Sequence, residues 1–82
     1  MLNLSKLTIA QIARIIRENW KPVHQYAKPY LEAMECMNSI DDNYIADSGR
    51  SVVVYFLSNA TTFKGEVARE IKKELNKRLK QH

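Results

Sequence analysis

The sequence predicts an all-α fold, a small single-domain bundle of about four helices that includes residues 1–82. Apolar residues recur at the helical period in several segments, and helix-start and helix-stop signals flank these segments. The composition is that of a globular protein, with 45% hydrophobic residues, two glycines and two prolines. A chain of this length has room for one hydrophobic core, so we expect a single helical domain.

The first helix is predicted from Thr8 to about Trp20. Thr8 suits the N-cap, and Gln11 suits the third helical position of a capping box. Pro22 ends the helix, because the residue before a proline is pushed out of the helical region. The apolar residues of this segment fall on one face, which we expect in the core: Ile9, Ile12, Ile15, Ile16 and Trp20.

The second helix is predicted to begin at Pro29, because proline is favoured in the first helical turn. A broad apolar arc follows, formed by Tyr30, Leu31, Ala33, Met34, Met37 and Ile40. Cys36 lies at the edge of this arc, where we expect a buried structural thiol. Residues 38–50 have the composition of a connection, in which we expect the Tyr44 and Ile45 side chains to turn inward.

Residues 51–60 are compatible with two structures. As a helix, this segment is apolar on nearly all sides, which suits the central member of a bundle. As a strand, residues 52–56 have high β propensity, and residues 47–50 could turn a hairpin. The strand would give an α+β fold with a hairpin around residues 44–58. We favour the helix, because a lone two-stranded hairpin is a poor core element.

The last helix is predicted from Glu66 to about Leu79, with a hydroxyl N-cap supplied by the segment that begins Thr61-Thr62. Glu74 and Arg78 form a favourable pair four residues apart. One face of this helix carries the apolar residues Val67, Ala68, Ile71, Leu75 and Leu79. Four helices are therefore expected in the chain.

The net charge of +4 is concentrated near the C-terminus. Residues 1–63 contain six basic and six acidic residues, whereas residues 64–82 contain seven basic and three acidic residues. Opposite the apolar face of the last helix, four basic residues align beside Asn76: Arg69, Lys73, Lys77 and Lys80. Such a stripe can follow a phosphate backbone and release its counterions, so these four are candidate nucleic-acid-binding residues. The alternative is an ordinary solvated helix face whose cations are stabilised by the helix dipole.

The sequence also predicts where the protein acts. A lone cysteine cannot form an internal disulfide, which favours a reducing compartment. The first residues lack the apolar stretch of a signal peptide. The longest apolar run, 52–57, is far shorter than the ~20 residues of a membrane span. We therefore expect a cytoplasmic protein without a membrane partner.

The residue pattern does not predict catalysis, a metal site or a cofactor. Asp41, Asp42 and Asp47 lack the ligand spacing of an EF-hand loop and suit turn formation and helix capping. Neither His24 nor Cys36 is accompanied by a Gly-rich loop, a nucleophile elbow or paired carboxylates. We therefore expect a protein that acts by binding rather than by catalysis.

Several segments resemble small uncharacterised proteins encoded by phages and prophages. The resemblance lies in residues 17–20, 30–34, 47–49, 55–60, 63–66 and 71–75, and so extends over most of the chain. It implies a setting, the bacterial cytoplasm during infection or lysogeny. Proteins of this kind often bind host proteins, block defence systems such as CRISPR, or handle nucleic acid. No binding or catalytic residues follow from the resemblance.

Three functions are therefore considered, in order of preference. The first is a phage-type accessory protein that binds a host or phage protein, including as an inhibitor of a bacterial defence system, with homo-oligomerisation left open. The second is a nucleic-acid-binding accessory protein that uses the basic face of the last helix. The third is an oligomer that binds an anionic nucleotide, because Gly49 and Gly65 precede or open predicted helices whose N-termini attract anions.

Overall fold

The computed structural model describes residues 3–44 and 47–81. Two strands of two residues each pair antiparallel before the third helix, β1 (Asn43–Tyr44) and β2 (Asp47–Ser48). None of the helices in these ranges has the length and apolar character that crossing a lipid bilayer requires. The predicted small helical bundle is confirmed by the helices of the described ranges, which are α1 (Ile9–Asn19), α2 (Lys28–Met34), α3 (Gly49–Ser58) and α4 (Glu66–Lys80).

α1 begins where the capping box predicts. The Thr8 hydroxyl accepts a hydrogen bond from the Gln11 amide at 3.1 Å, and the Gln11 side chain accepts one from the Thr8 amide at 2.8 Å. These bonds satisfy two amides that the first helical turn leaves without partners. Trp20, directly after the helix, is buried, whereas Ile15 is only partly buried. The predicted apolar face of this helix therefore forms part of the core.

α2 is shorter than the apolar arc suggests. Pro29 lies in its first turn as predicted, but the helix begins at Lys28 and ends at Met34. The buried residues Met37 and Ile40 lie in the irregular segment beyond it. Cys36 lies in the turn after the helix and is exposed, so the prediction of a buried thiol is wrong. Helical periodicity does not place a side chain once the helix has ended.

α3 confirms the helix that we favoured for residues 51–60. Ser48 caps it, because its hydroxyl accepts a hydrogen bond from the Ser51 amide at 3.1 Å. The alternative hairpin is reduced to the pairing of Asn43 with Ser48 and of Tyr44 with Asp47. The Tyr44 and Ile45 side chains, which the sequence predicts to turn inward, lie outside the described part of the chain.

α3 is not the buried central member that its composition suggests. Val54 is 46% exposed and Tyr55 is 52% exposed. α1 packs against α2 and α4, and α3 also packs against α2 and α4. The four helices therefore surround a shared core in the order α1, α2, α3, α4, and each keeps an outer face. α2 and α4 lie on opposite sides of this core.

Aromatic side chains fill the centre of the bundle. The Trp20 ring stacks on the Phe63 ring at a centroid distance of 5.2 Å and meets the Phe56 ring edge-on at 6.2 Å. Such pairs are worth about 0.5–1.5 kcal/mol beyond their buried area. The largest fully buried side chains around them come from all four helices and their connections: Ile9, Ile12, Ile16, Leu31, Met34, Met37, Val53, Ile71 and Leu75.

α4 begins at Glu66 after Gly65, whose φ of 112° favours glycine. No side chain caps this helix end, so the predicted hydroxyl cap from Thr61 or Thr62 is wrong. The Lys72 ammonium instead donates to the Phe63 carbonyl at 2.7 Å and ties the preceding loop to the helix.

Gly49 stands where the start of α3 meets the connection from α2. It is buried, and its amide donates to the Asp42 carbonyl at 2.6 Å. A Cβ atom at this position would lie 2.6 Å from the Ile40 carbonyl oxygen and 2.7 Å from the Met37 methyl carbon. Glycine is therefore required by the close approach of two backbone segments.

Candidate functional site

The outer face of α4 brings together all four candidate basic residues. Its inner side is fixed by the burial of Ala68, Ile71 and Leu75. With these residues inward, the helical period turns Asn76 and the four cations outward, and all five are exposed. We call this surface the basic face, defined by Arg69, Lys73, Asn76, Lys77 and Lys80.

The charges of the basic face are not neutralised by ion pairs. Among residues 3–44 and 47–81, no carboxylate lies within 4 Å of the nitrogen atoms of its four cations. Glu74, on the flank of α4, is paired with Arg78 at 2.7 Å, and both side chains are only 14% exposed. Glu66 is exposed at the N-terminal end of the basic face, where it projects between Lys73 and Lys77, and Glu70 borders the groove that contains Lys73 and Lys77. The face is therefore basic apart from Glu66 at its N-terminal end, and Glu70 lies along one edge.

Two other cations of this segment have structural roles. Arg78 donates to the Leu4 carbonyl at 2.8 Å, as well as to Glu74, and so fixes the N-terminal segment to α4. The Lys72 ammonium lies 5.8 Å from the centre of the Phe63 ring in addition to binding the Phe63 carbonyl. Partial burial, assisted by Lys64, lowers the pKa of Lys72. The seven basic residues of 64–82 are therefore not equivalent.

Arg50 reaches the C-terminal end of α4 from α3. It donates to the Leu79 carbonyl at 3.0 Å and to the Gln81 carbonyl at 2.7 Å, and it pairs with Asp41 at 3.1 Å. The last carbonyls of a helix have no partners within it and carry partial negative charge, so a guanidinium group stabilises them. Sequence analysis missed this contact, because it joins residues 29 positions apart.

Two shallow, open grooves beside the basic face are lined by its lysines. One is lined by Lys73, Asn76, Lys77, Lys80 and Gln81. The other lies beside the N-terminal segment and is lined by Asn3, Leu4, Ser5, Glu70, Lys73, Glu74 and Lys77. Lys73 and Lys77 border both grooves, so they stand at the centre of this surface.

Charge is distributed unevenly over the bundle. Residues 1–21, which include α1, contain four basic residues and one acidic residue. Residues 64–82, which include α4, contain seven basic and three acidic residues. Residues 22–63, which include α2 and α3, contain two basic and five acidic residues. Because α1 packs on α4 and α2 packs on α3, one half of the bundle is strongly basic and the other is acidic. The basic face lies on the basic half.

The acidic residues of the connection stabilise its turns. The Asp42 carboxylate accepts hydrogen bonds from the Asn38 amide at 2.8 Å and the Ser39 amide at 3.1 Å. Asp41 is the partner of Arg50. Turn formation, the role that the sequence suggests for these acids, is confirmed for Asp42. In the described ranges, no group of three or more His, Cys, Asp or Glu side chains is placed to hold a metal ion.

A second surface was not predicted from the sequence. Tyr55 and the partly buried Tyr30 lie against each other across α3 and α2, with ring centroids 5.5 Å apart. The exposed residues of α3 beside them are apolar or small. We call this surface the tyrosine face, defined by Tyr30, Ser51, Val54, Tyr55 and Ser58. Tyr26 is 64% exposed and lies beside His24 rather than in this pair.

In comparisons with known proteins, no protein-family model matches this chain, and no curated protein or solved structure is significantly similar to it. The two surfaces described above are therefore the features of this protein that bear on its function.

Proposed function

We propose that this protein binds the phosphate backbone of double-stranded nucleic acid through the basic face of α4. The observation that carries the proposal is that Arg69, Lys73, Lys77 and Lys80 are all exposed on one side of a helix and unpaired within the described ranges. Cations that are already neutralised by carboxylates gain little from a phosphate. The four cations of the basic face are therefore available to bind phosphate groups.

The dimensions of the basic face suit a backbone contact. Arg69 and Lys80 are eleven residues apart, which corresponds to about 17 Å along a helix. This length is roughly half of one turn of duplex DNA. Each phosphate neutralised by Lys or Arg releases condensed counterions, and this release contributes most of the affinity of sequence-independent binding. The arrangement therefore supports backbone binding with little selection of base sequence.

The absence of aromatic residues from the C-terminal segment favours a duplex over a single strand. Residues 64–82 contain no Phe, Tyr or Trp. Proteins that bind single strands usually combine basic residues with aromatic side chains on which the bases stack. Among the side chains that the structure describes, the exposed tyrosines are Tyr26 and Tyr55, which lie outside this segment.

The salt dependence of binding tests this proposal. We expect a labelled DNA duplex to bind with a slope of log K against log salt of about −2 to −4, because at most four phosphates are neutralised at about 0.9 per contact. Fluorescence anisotropy between ~50 and ~200 mM salt, with two duplexes of unrelated sequence, measures the slope. Similar slopes and affinities are expected for both duplexes. An absence of binding at ~50 mM salt would reject the proposal.

A protein partner is the second candidate function, and it is the one that the sequence ranks first. The exposed Val54 and Tyr55 favour it, because Tyr is enriched in protein interfaces. A host or phage protein bound in this way is expected to remain in complex after nuclease treatment at moderate salt. Loss of every co-purifying protein under those conditions would count against it.

A further inference from the structure

We infer that a pocket between the loop of Phe63 and the first turns of α4 binds a phosphate monoester. We call it the cation pocket, and it is lined by Phe63, Lys64, Gly65, Ala68, Arg69 and Lys72. The site does not require duplex binding. Only one source of its ligand, the terminal phosphate of a duplex strand, rests on the proposed function.

The cation pocket gathers positive charge without a compensating acid. Its lining includes three basic residues and no acidic one. Among residues 3–44 and 47–81, no carboxylate lies within 4 Å of the nitrogen atoms of Lys64, Arg69 or Lys72. Glu66 and Glu70 lie about 120° and about 160° from Lys72 around the axis of α4. The positive charge of the pocket is therefore left for a ligand to neutralise.

Lys72 is the fixed member of the cation pocket. Its ammonium group donates to the Phe63 carbonyl at 2.7 Å and lies 5.8 Å from the centre of the Phe63 ring. An ammonium group has three N–H donors, so two of them remain for a ligand. Because the Lys72 side chain is already held and only partly exposed, it loses less freedom on binding than a free surface lysine.

Like charges lie close together in this pocket. Partial burial lowers the pKa of Lys72, and the positive charge of Lys64 lowers it further. Two neighbouring ammonium groups without an anion disfavour each other's charged form, whereas an anion beside them favours it. Binding of an anion therefore removes a repulsion that is present in the empty pocket.

The three cations suit a phosphate monoester better than a phosphate diester. A monoester carries a charge of about −1.5 to −2 at neutral pH and has three strong acceptor oxygens. Each phosphate of a nucleic-acid backbone carries a single negative charge. The planar guanidinium group of Arg69 can donate to two phosphate oxygens in parallel, and the ammonium groups of Lys64 and Lys72 act as point charges. The pocket therefore favours the more highly charged group.

Two sources supply a phosphate monoester. One is the terminal phosphate of a duplex strand, because Arg69 belongs to both the cation pocket and the basic face. A backbone that follows the outer side of α4 can therefore end in the pocket. The other source is a free phosphate, either inorganic phosphate or a mononucleotide.

Titration of the isotopically labelled protein with inorganic phosphate, without nucleic acid and at constant ionic strength, tests this inference. We expect a saturable shift of the amide resonances of residues 63–69, observed by NMR. Lys64→Glu is expected to weaken phosphate binding about tenfold or more, since a hydrogen-bonded charge is replaced by a repelling one. Lys80→Glu is the matched control, because Lys80 is also an exposed lysine but does not line the pocket. It is expected to bind phosphate nearly as the unmodified protein does.

The absence of a saturable shift up to ~50 mM phosphate would overturn the inference, because a site weaker than this is not a specific one. Equal weakening by Lys64→Glu and Lys80→Glu would also overturn it. Circular dichroism verifies that both variants are folded. Because the titration contains no nucleic acid, these outcomes leave the proposed function of the basic face untouched, and failure of duplex binding would leave the phosphate site untouched.

A comparison of two duplexes identifies the source of the phosphate. Both have the same sequence, but the strand ends of one carry a phosphate monoester and those of the other carry a hydroxyl group. Several-fold tighter binding of the phosphorylated duplex, lost in Lys64→Glu, would assign the pocket to a strand end. Equal binding of both duplexes by a protein that binds inorganic phosphate would assign it to a free phosphate.

Discussion

Replacement of Gly49 by alanine is expected to remove about 3 kcal/mol or more of folding stability, which is a large fraction for a domain of this size. The new Cβ would lie 2.6 Å from the Ile40 carbonyl oxygen and closer still to the Asp42 carbonyl oxygen. Two of the obstructing atoms belong to the backbone, which cannot rotate away as a side chain can. α3 would have to separate from the connection that leads into it. Urea unfolding, followed by the fluorescence of the single tryptophan, measures the loss.

Gly65→Ala is the matched control for this prediction. A Cβ at Gly65 would have open space around it, so the substitution lowers the folding stability only through the φ of 112°. We expect a loss of about 1–2 kcal/mol, because a φ of 112° combined with a ψ of −177° is a backbone conformation that is essentially confined to glycine. A Gly49→Ala protein as stable as the original would contradict the close approach described here.

Reversal of two charges on the basic face is expected to have the largest effect on binding. Lys73→Glu combined with Lys77→Glu removes two phosphate contacts from the centre of the face. At ~100 mM salt we expect duplex DNA to bind about 50- to 100-fold more weakly, with a salt slope reduced by about two. Both lysines are exposed, so the fold should persist. Anisotropy measures the binding, and thermal unfolding verifies the fold.

Lys28→Glu provides the control for overall charge. Lys28 is an exposed helical lysine like Lys77, but it belongs to α2, on the opposite side of the bundle. Lys77→Glu alone is expected to weaken binding about tenfold, and Lys28→Glu considerably less, although both change the net charge equally. Equal losses from the two variants would show that net charge, rather than the basic face, determines the affinity.

Much of the fold could be predicted because its signals are local in sequence. The capping box of α1 lies within four residues, and the apolar period of α4 lies within one segment. The end of α2 was not predicted, because Met37 and Ile40 remain buried after the helix has stopped, and this burial imitates helical periodicity. The exposure of α3 depends on how four helices share one core, and a nearly all-apolar segment does not indicate which side faces water.

In the candidate site, too, features that are local in sequence could be predicted, and features that depend on tertiary contacts could not. The outward orientation of Lys73 and Lys77 follows from the helical period alone. The structural roles of Lys72 and Arg78 depend on contacts with Phe63 and Leu4, which a helical projection of α4 does not contain. Composition likewise gives no indication that Arg50 caps α4, because the contact exists only in the folded chain.

Mapping of the bound surface by NMR tests the central claim most directly. In a titration of the isotopically labelled protein with a short DNA duplex at low salt, we expect the amide resonances of residues 66–81 to shift most. Residues 28–34 of α2, on the opposite side of the bundle, are expected to change little. Shifts confined to α2 and α3, or a duplex that causes no shifts at ~50 mM salt, would contradict nucleic-acid binding by the basic face.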